Sequence, residues 1–210
     1  IYPSPIFELA DRNFNLWWYE LDRDLSRVNY GVRGEHINLS GNNDKLSLTA
    51  QWGYTRKLEL RYNFPFLDAE GKWAGQINAF YSTVKELAYQ TLNNKTQFGS
   101  FQEEIMLSRL RLGSALSYRP KLFGSHNIRV EFHRNRIHPF VATELNPDYF
   151  LNGVEENRFF YLDYNYTYDN REFLIYPEKG ILFGINVVKE GLYIFLNCFL
   201  FSLVEPSRRT

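Results

Sequence analysis

An all-β fold, an antiparallel transmembrane β-barrel, is what this sequence predicts, and three observations predict it. The first is strict alternation over residues 45–66: Leu46, Leu48, Ala50, Trp52, Tyr54, Leu58, Leu60, Tyr62, Phe64 and Phe66 fall in one phase, and Ser47, Thr49, Gln51, Gly53, Thr55, Lys57, Glu59, Arg61 and Asn63 in the other. A period of two puts one set on each side of a β-strand. Here the polar side carries charges and amides along its whole length, as the wall of a water-filled barrel does. The second is an aromatic content of 18%, with 15 Tyr and 18 Phe; Tyr and Trp collect at membrane–water interfaces. The third is an alternation of short and long connections between strands, the asymmetry of an outer-membrane barrel's two rims.

Taken in order, the elements are as follows. Residues 5–18 form a first strand whose apolar run is interrupted by Arg12, Asn13 and Asn15. Val28, Tyr30 and Val32 alternate with Asn29, Gly31 and Arg33, and the phase then slips to Ile37 and Leu39, which predicts a bulge near Gly34. The 45–66 pair keeps its parity across 53–57, so its loop has an odd number of residues; centred on Thr55, it pairs Trp52 with Leu58 and Leu48 with Tyr62. Trp73, Gly75, Ile77, Ala79 and Tyr81 mark the next strand. Met106, Leu110, Leu112, Leu116 and Tyr118 mark another, with Arg109, Arg111 and Ser117 opposite. Ile128, Val130 and Phe132 alternate with Arg129, Glu131 and His133, and Phe160, Leu162, Tyr164, Tyr166 and Tyr168 with Tyr161, Asp163, Asn165 and Thr167. Ile181, Phe183, Ile185 and Val187 close the series. Residues 85–99 and 137–156 read as long polar loops, with Asn93-Asn94 and Asn152-Gly153 inside them. The count is about nine or ten strands in one barrel domain over 1–210, with no amphipathic helix. Residues 192–204 are apolar in both phases, an atypical end: a strand buried on both sides, or a segment where the barrel pattern is lost.

Composition excludes several classes. The 24 basic and 24 acidic residues cancel, so no net charge steers the chain to nucleic acid or an anionic surface as its main partner. One cysteine, Cys198, allows no internal disulfide and no cysteine metal site. No apolar run reaches the length of a transmembrane helix. With Ile at position 1 and no charged-then-apolar leader, a signal peptide is expected to be absent or already removed. His36, His126, His133 and His138 make no metal-ligand spacing, and no nucleophile elbow, P-loop or dinucleotide fingerprint occurs. Neither a catalytic residue nor a metal or cofactor is expected. Glu59, Arg61, Arg109, Arg111, Arg129 and Glu131, with Lys57, share the polar phase; they are expected to face a charged lumen, the bland alternative being a solvated sheet face. By the same phase Leu48, Leu58, Leu60, Ile128, Val130, Leu162 and Ile185 should face lipid.

The segment from Asp169 through Arg171 and Pro177 to Gly180 can be read as a plain turn, in which proline fixes φ and glycine permits positive φ. Its D-x-R-x5-P-x-x-G spacing between an aromatic strand and an Ile/Val strand also resembles the Omp85 superfamily, the bacterial surface-antigen barrels that include BamA and TamA. Asn29-Tyr-Gly-Val, then Asn38-Leu-Ser-Gly41, then the alternating pair ending Tyr62-Asn-Phe-Pro-Phe66, is similar to the early barrel strands of that family. The opening Glu8-Leu-Ala-Asp-Arg-Asn-Phe-Asn-Leu-Trp-Trp18 resembles a Bacteroidetes variant. The likeness runs over residues 5–191.

That resemblance implies a non-enzymatic protein of a Gram-negative outer membrane that inserts or translocates other outer-membrane proteins. Its partners would be membrane lipid, unfolded outer-membrane proteins, and POTRA modules or accessory lipoproteins. It further implies that the turn carrying Asp169, Arg171, Pro177 and Gly180 lies on the periplasmic rim. The first strand, through Phe7, Leu9, Asp11 and Asn13, would be one side of a weakly paired seam able to template an incoming strand. Three departures stand out: about six of the family's sixteen strands, the V-R-G-[FY] loop tip and the POTRA modules that precede the family's barrel have no counterpart in this sequence, and a partial barrel is expected. Two rivals remain: a barrel anchoring an upstream patatin-like or metallophosphoesterase module, and a soluble ligand-binding barrel with its apolar phase inward.

Overall fold

A computed structural model describes residues 2–10, 13–20, 22–172, 179–191 and 199–204, the last stretch through its backbone. Antiparallel β-structure dominates. Ten strands form one sheet: β1 (Tyr2–Leu9), β2 (Val28–Ile37), β3 (Lys45–Gly53), β4 (Thr55–Phe64), β5 (Trp73–Val84), β8 (Leu107–Tyr118), β9 (Gly124–Ile137), β10 (Glu156–Asp169), β11 (Leu182–Glu190) and β12 (Phe199–Val204). Each pairs with its sequential neighbours, except that β5 pairs with β8 across an inserted two-stranded hairpin, β6 (Leu87–Leu92) and β7 (Lys95–Gly99). Among the described residues β1 and β12 each have one neighbour, so the sheet is open. Pro3 and Pro5 both lie in β1, an edge position that tolerates a missing N–H.

The register follows the hydrophobic phase. Leu48 faces Leu60, Leu60 faces Ala79, Ala79 faces Leu112, Leu112 faces Phe132, and Phe132 faces Phe160. The next row along reads Glu59, Phe80, Arg111, His133, Phe159. Directly opposed residues share a face, so the apolar phases of successive strands add up to one apolar face and the polar phases to one polar face.

Two rims result. The strand ends joined by 38–44, by 65–72, by 119–123 and by the β10–β11 connection lie at one, here the turn rim; those joined by the β1–β2 connection, by Tyr54, by 85–106 and by 138–155 lie at the other, the loop rim. The tight turn at Tyr54 thus lies among the long connections, on the opposite rim from 65–72.

At the loop rim the inward row changes character to Val84, Leu107, Ile137. There the inserted hairpin and the 138–155 connection fold over. Leu87, Met106, Leu107, Ile137, Val141 and Ala142 are buried together, with Phe101, Phe140, Leu145, Tyr149 and Phe150 against them. Phe101 stacks on Phe140 at 4.7 Å, Asn146 donates to the Tyr89 carbonyl at 2.7 Å, and His138 meets Glu104 at 2.6 Å. This cap is the apolar core of the described residues.

Several expectations need correction. The strand expected over 5–18 ends at Leu9. Beyond it the chain turns into a short helical segment, Leu16–Glu20, because Asn13 accepts the Asn15 N–H at 3.0 Å and Trp17 buries its ring and donates to the Asp24 carbonyl at 2.9 Å. No bulge interrupts β2: its pairing with β3 is continuous from Asn29 to Ile37. The β3–β4 turn centres on Tyr54 rather than Thr55, so Leu48 meets Leu60 instead of Tyr62, and Ala50, not Trp52, meets Leu58. The neighbouring strand decides this: Tyr54 N–H donates to the Val28 carbonyl at 3.2 Å and Thr55 N–H to the Asn29 side chain at 2.8 Å. Gly53 turns there with φ +106, where a Cβ would strike the Val28 oxygen at 2.0 Å. The loop expected over 85–99 is a hairpin whose Asn93 and Asn94 take φ +50 and +60, the two-residue turn that suits strand twist. Met106 belongs to the cap core, not to an outward strand face.

Candidate functional site: a polar concave face and an apolar belt

The site is a surface rather than a pocket, built by the two phases of the sheet. On one face the side chains converge. Thr49 and Gln51 are 5% exposed and Ser82 6%, though polar, whereas their apolar neighbours Leu48 and Trp52 are 46% and 49% exposed. Burial inverted against polarity in this way marks the polar face as concave.

Within it a cavity of about 440 Å³ is lined by Glu59, Arg61, Asn78, Arg111, Arg129 and Glu131 together with Gln76 and Phe80. Arg61 donates to Glu59 at 2.6 Å, His133 contacts Glu131 at 2.9 Å, and the Arg111 guanidinium lies 4.2 Å over the Phe80 ring. Asn186 donates to Asp163 at 2.7 Å and Ser117 to Asn127 at 2.5 Å. Opposite charges and amides thus hold one another in place on a face that needs water or these partners to be stable. Five of the seven charged residues singled out from sequence line this one cavity; Lys57, in the same phase of β4, does not. Arg109 stands apart in the same phase, nearer the loop rim, where its charge eases ionisation of Tyr149 while burial, the larger effect, pushes that phenol up.

The opposite face is apolar and open. Leu58, Leu60, Ile77, Leu112, Ile128 and Val130 are each between 36% and 59% exposed. Leu162 is 42% exposed and Ile185 half-buried on the same face. Aromatic side chains border this belt. At the turn rim one row runs Trp73, Tyr118, His126, Tyr166, with Trp73 stacked on Tyr118 at 4.2 Å and His126 against Tyr166 at 4.7 Å. At the loop rim Tyr30, Trp52 and Tyr81 point outward, joined by Phe14 stacked on Trp18 at 5.5 Å. Large contiguous apolar surface of this kind is not left to water.

The Asp169 turn is stitched through its side chains. Arg171 donates twice to the Asp169 carboxylate, at 2.9 Å each, and its own N–H reaches the same group at 3.2 Å. The pair raises the Arg171 guanidinium further above its ordinary value. Gly180 has φ +113, and a Cβ there would meet the Arg171 Cα at 2.4 Å, so only glycine fits. Asn170 accepts from Ile181 N–H at 2.6 Å. Pro177 lies outside the described residues, as does Asp11. Of the proposed seam residues, Phe7 and Leu9 lie on the edge strand β1, and Asn13 falls beyond its end.

Sequence reading missed Asp44. It is 1% exposed, accepts the Tyr62 hydroxyl at 2.5 Å and the Ser40 N–H at 3.0 Å, and closes the 38–44 turn. The Tyr62 hydroxyl holds its carboxyl below the usual range, against burial, with Ser40 assisting. The Asn38-x-x-Gly41 signal located this turn, and Asn38 and Gly41 do take positive φ, but nothing in the pattern singled out the carboxylate. The described residues contain no group of three or more His, Cys, Asp or Glu placed to hold a metal ion, and no helix long and apolar enough to cross a membrane.

No family model and no curated protein matches this chain. Among solved structures, the crystal structure of BamA from Haemophilus ducreyi lacking POTRA domains 1–3 is similar, with 14% identity and a TM-score of 0.47, covering 80% of this chain and 32% of that one. The chain spans about a third of that protein's length, and no residue role is carried across.

Proposed function

We propose that this chain is part of the wall of a transmembrane β-barrel of the Omp85 type in a bacterial outer membrane, assisting insertion or translocation of outer-membrane proteins. The observation that carries the membrane reading is the inverted polarity of the sheet, with its charged face concave and its leucine-rich face exposed. In a soluble ligand-binding barrel the apolar phase would be the enclosed one. In lipid every backbone N–H and C=O needs a partner, so the open edges at β1 and β12 would be paired by further strands. The β1 edge is the place where an incoming strand would add. Unfolded outer-membrane proteins are the proposed clients, with POTRA modules or accessory lipoproteins as helpers. The turn rim would be periplasmic and the capped loop rim external.

Reconstitution tests the activity. The protein in phosphatidylcholine liposomes should speed the folding of an added, urea-unfolded outer-membrane protein relative to empty liposomes. Equal rates would remove the insertion role while leaving the barrel wall in place. Orientation is read separately: a cysteine replacing Asn152 should react with an impermeant maleimide on whole cells, and one replacing Lys179 should not.

A further inference from the structure

The outward face is not uniform in charge. Just beyond the belt row Ala79, Leu112, Phe132, Phe160, the outward phase of β9 and β10 turns to Arg134 and Arg158, and in the next row to Arg136 and Glu156. Three guanidiniums thus surround one carboxylate on a surface continuous with exposed leucines. Arg134 grips Glu156 through two hydrogen bonds, at 2.8 and 3.0 Å, and Arg158 donates to the same carboxylate. Both arginine side chains remain open, at 41% and 60% exposure. Arg136 makes no ion pair among the described residues and lines, with Arg134, Ser108, Tyr81 and Leu110, a crevice of about 230 Å³. At the turn rim the outward strand ends among the described residues include Phe64, Trp73, Tyr118, Tyr166 and Tyr168, aromatic rather than cationic.

We propose that Arg134, Arg136 and Arg158 form a binding site for the phosphate of an anionic lipid headgroup in the leaflet beside the loop rim. The guanidinium fork matches phosphate oxygens in pairs. Glu156 holds Arg134 and Arg158 in place and leaves the cluster with net positive charge, which a phosphate would offset. Tyr81 and Leu110, on the belt side of the crevice, would meet the start of the acyl chains. The proposal rests on the reading of the apolar face as lipid-facing, since it supplies the lipid.

The test uses the full chain in nanodiscs of phosphatidylcholine alone, or of phosphatidylcholine with one tenth phosphatidic acid, followed by detergent extraction and a count of co-purifying lipid. Phosphatidic acid should be retained about tenfold over its share of the bilayer, in line with the attraction of a few basic residues to an anionic surface. Arg136→Gln, which leaves the Arg134–Glu156 pair intact, should lower that enrichment several-fold, and R134Q/R136Q/R158Q should abolish it with unchanged incorporation into nanodiscs. No enrichment, or enrichment unaffected by either variant, would overturn the site. So would an equal thermal stabilisation of protein in plain phosphatidylcholine discs by millimolar inorganic phosphate, which would mean an ion site rather than a lipid site. Failure to enter nanodiscs of either composition would instead sink the membrane reading itself.

Discussion

The sheet and the cap are built with opposite polarity. In the cap, Met106 and Val141 are fully buried while Thr143 and Glu144 beside them are exposed, the arrangement water imposes. In the sheet, Leu58 is 59% exposed while Thr49 is 5% exposed, the reverse arrangement, which the proposed setting of lipid outside and water inside would impose. The inward row shows the changeover: Arg111 and His133 give way, toward the loop rim, to Leu107 and Ile137 beneath the cap. One chain thus carries two solvation rules, and the border between them lies at the ends of β8 and β9.

That contrast can be broken from either side. The largest effect is expected in the cap. Met106→Ala should cost about 2–5 kcal/mol of local stability, as cavity-forming core truncations do. Hydrogen exchange should show it as faster opening of β6, β7 and 138–155 in any detergent or lipid, with β3 and β4 unchanged. Next comes the belt: Leu60→Arg should destabilise by about 2–4 kcal/mol if Leu60 sits near mid-bilayer, measured by urea titration in vesicles, and by far less in a soluble setting. Third is the turn rim. Asp44 has a lowered carboxyl pKa in the folded state, so its contribution is present above the unfolded value of about 4 and lost as pH falls through the lower folded value. Amide protection at 38–44, referenced to the intrinsic exchange rate at each pH, should therefore fall below about pH 4, and Asp44→Asn should flatten that fall. The smallest effect belongs to the concave face, where Arg61→Leu should shift stability by about 0–1 kcal/mol, since its pair with Glu59 is half exposed.

What was legible in the sequence was what the solvent dictates residue by residue. The phases of 45–66, 128–133 and 160–168 were readable because each strand position meets either the belt or the concave side. Register was less legible, because it depended on a neighbour: Asn29 and Val28 on β2 set the turn at Tyr54, one residue before the expected centre at Thr55, which shifts the pairing by two. The cap was invisible to periodicity. Its buried residues come from a hairpin, two strand ends and a helical turn far apart in sequence, so no window contains the pattern. The Asn93-Asn94 dipeptide was the one local sign of the hairpin, and it was read as part of a polar loop. Asp44 was missed for the same reason as the register: the groups that hold it, Ser40 and Tyr62, sit on two elements.

The central claim is the inverted polarity of the sheet, and β4 (Thr55–Phe64) tests it most directly. With Cys198 replaced by serine, single cysteines placed in turn at positions 57–62 would carry a nitroxide in reconstituted vesicles. Collision with oxygen, which dissolves in lipid, should peak at 58, 60 and 62, and collision with a water-soluble nickel chelate at 57, 59 and 61. A reversed phase, or chelate access at all six positions, would contradict the account.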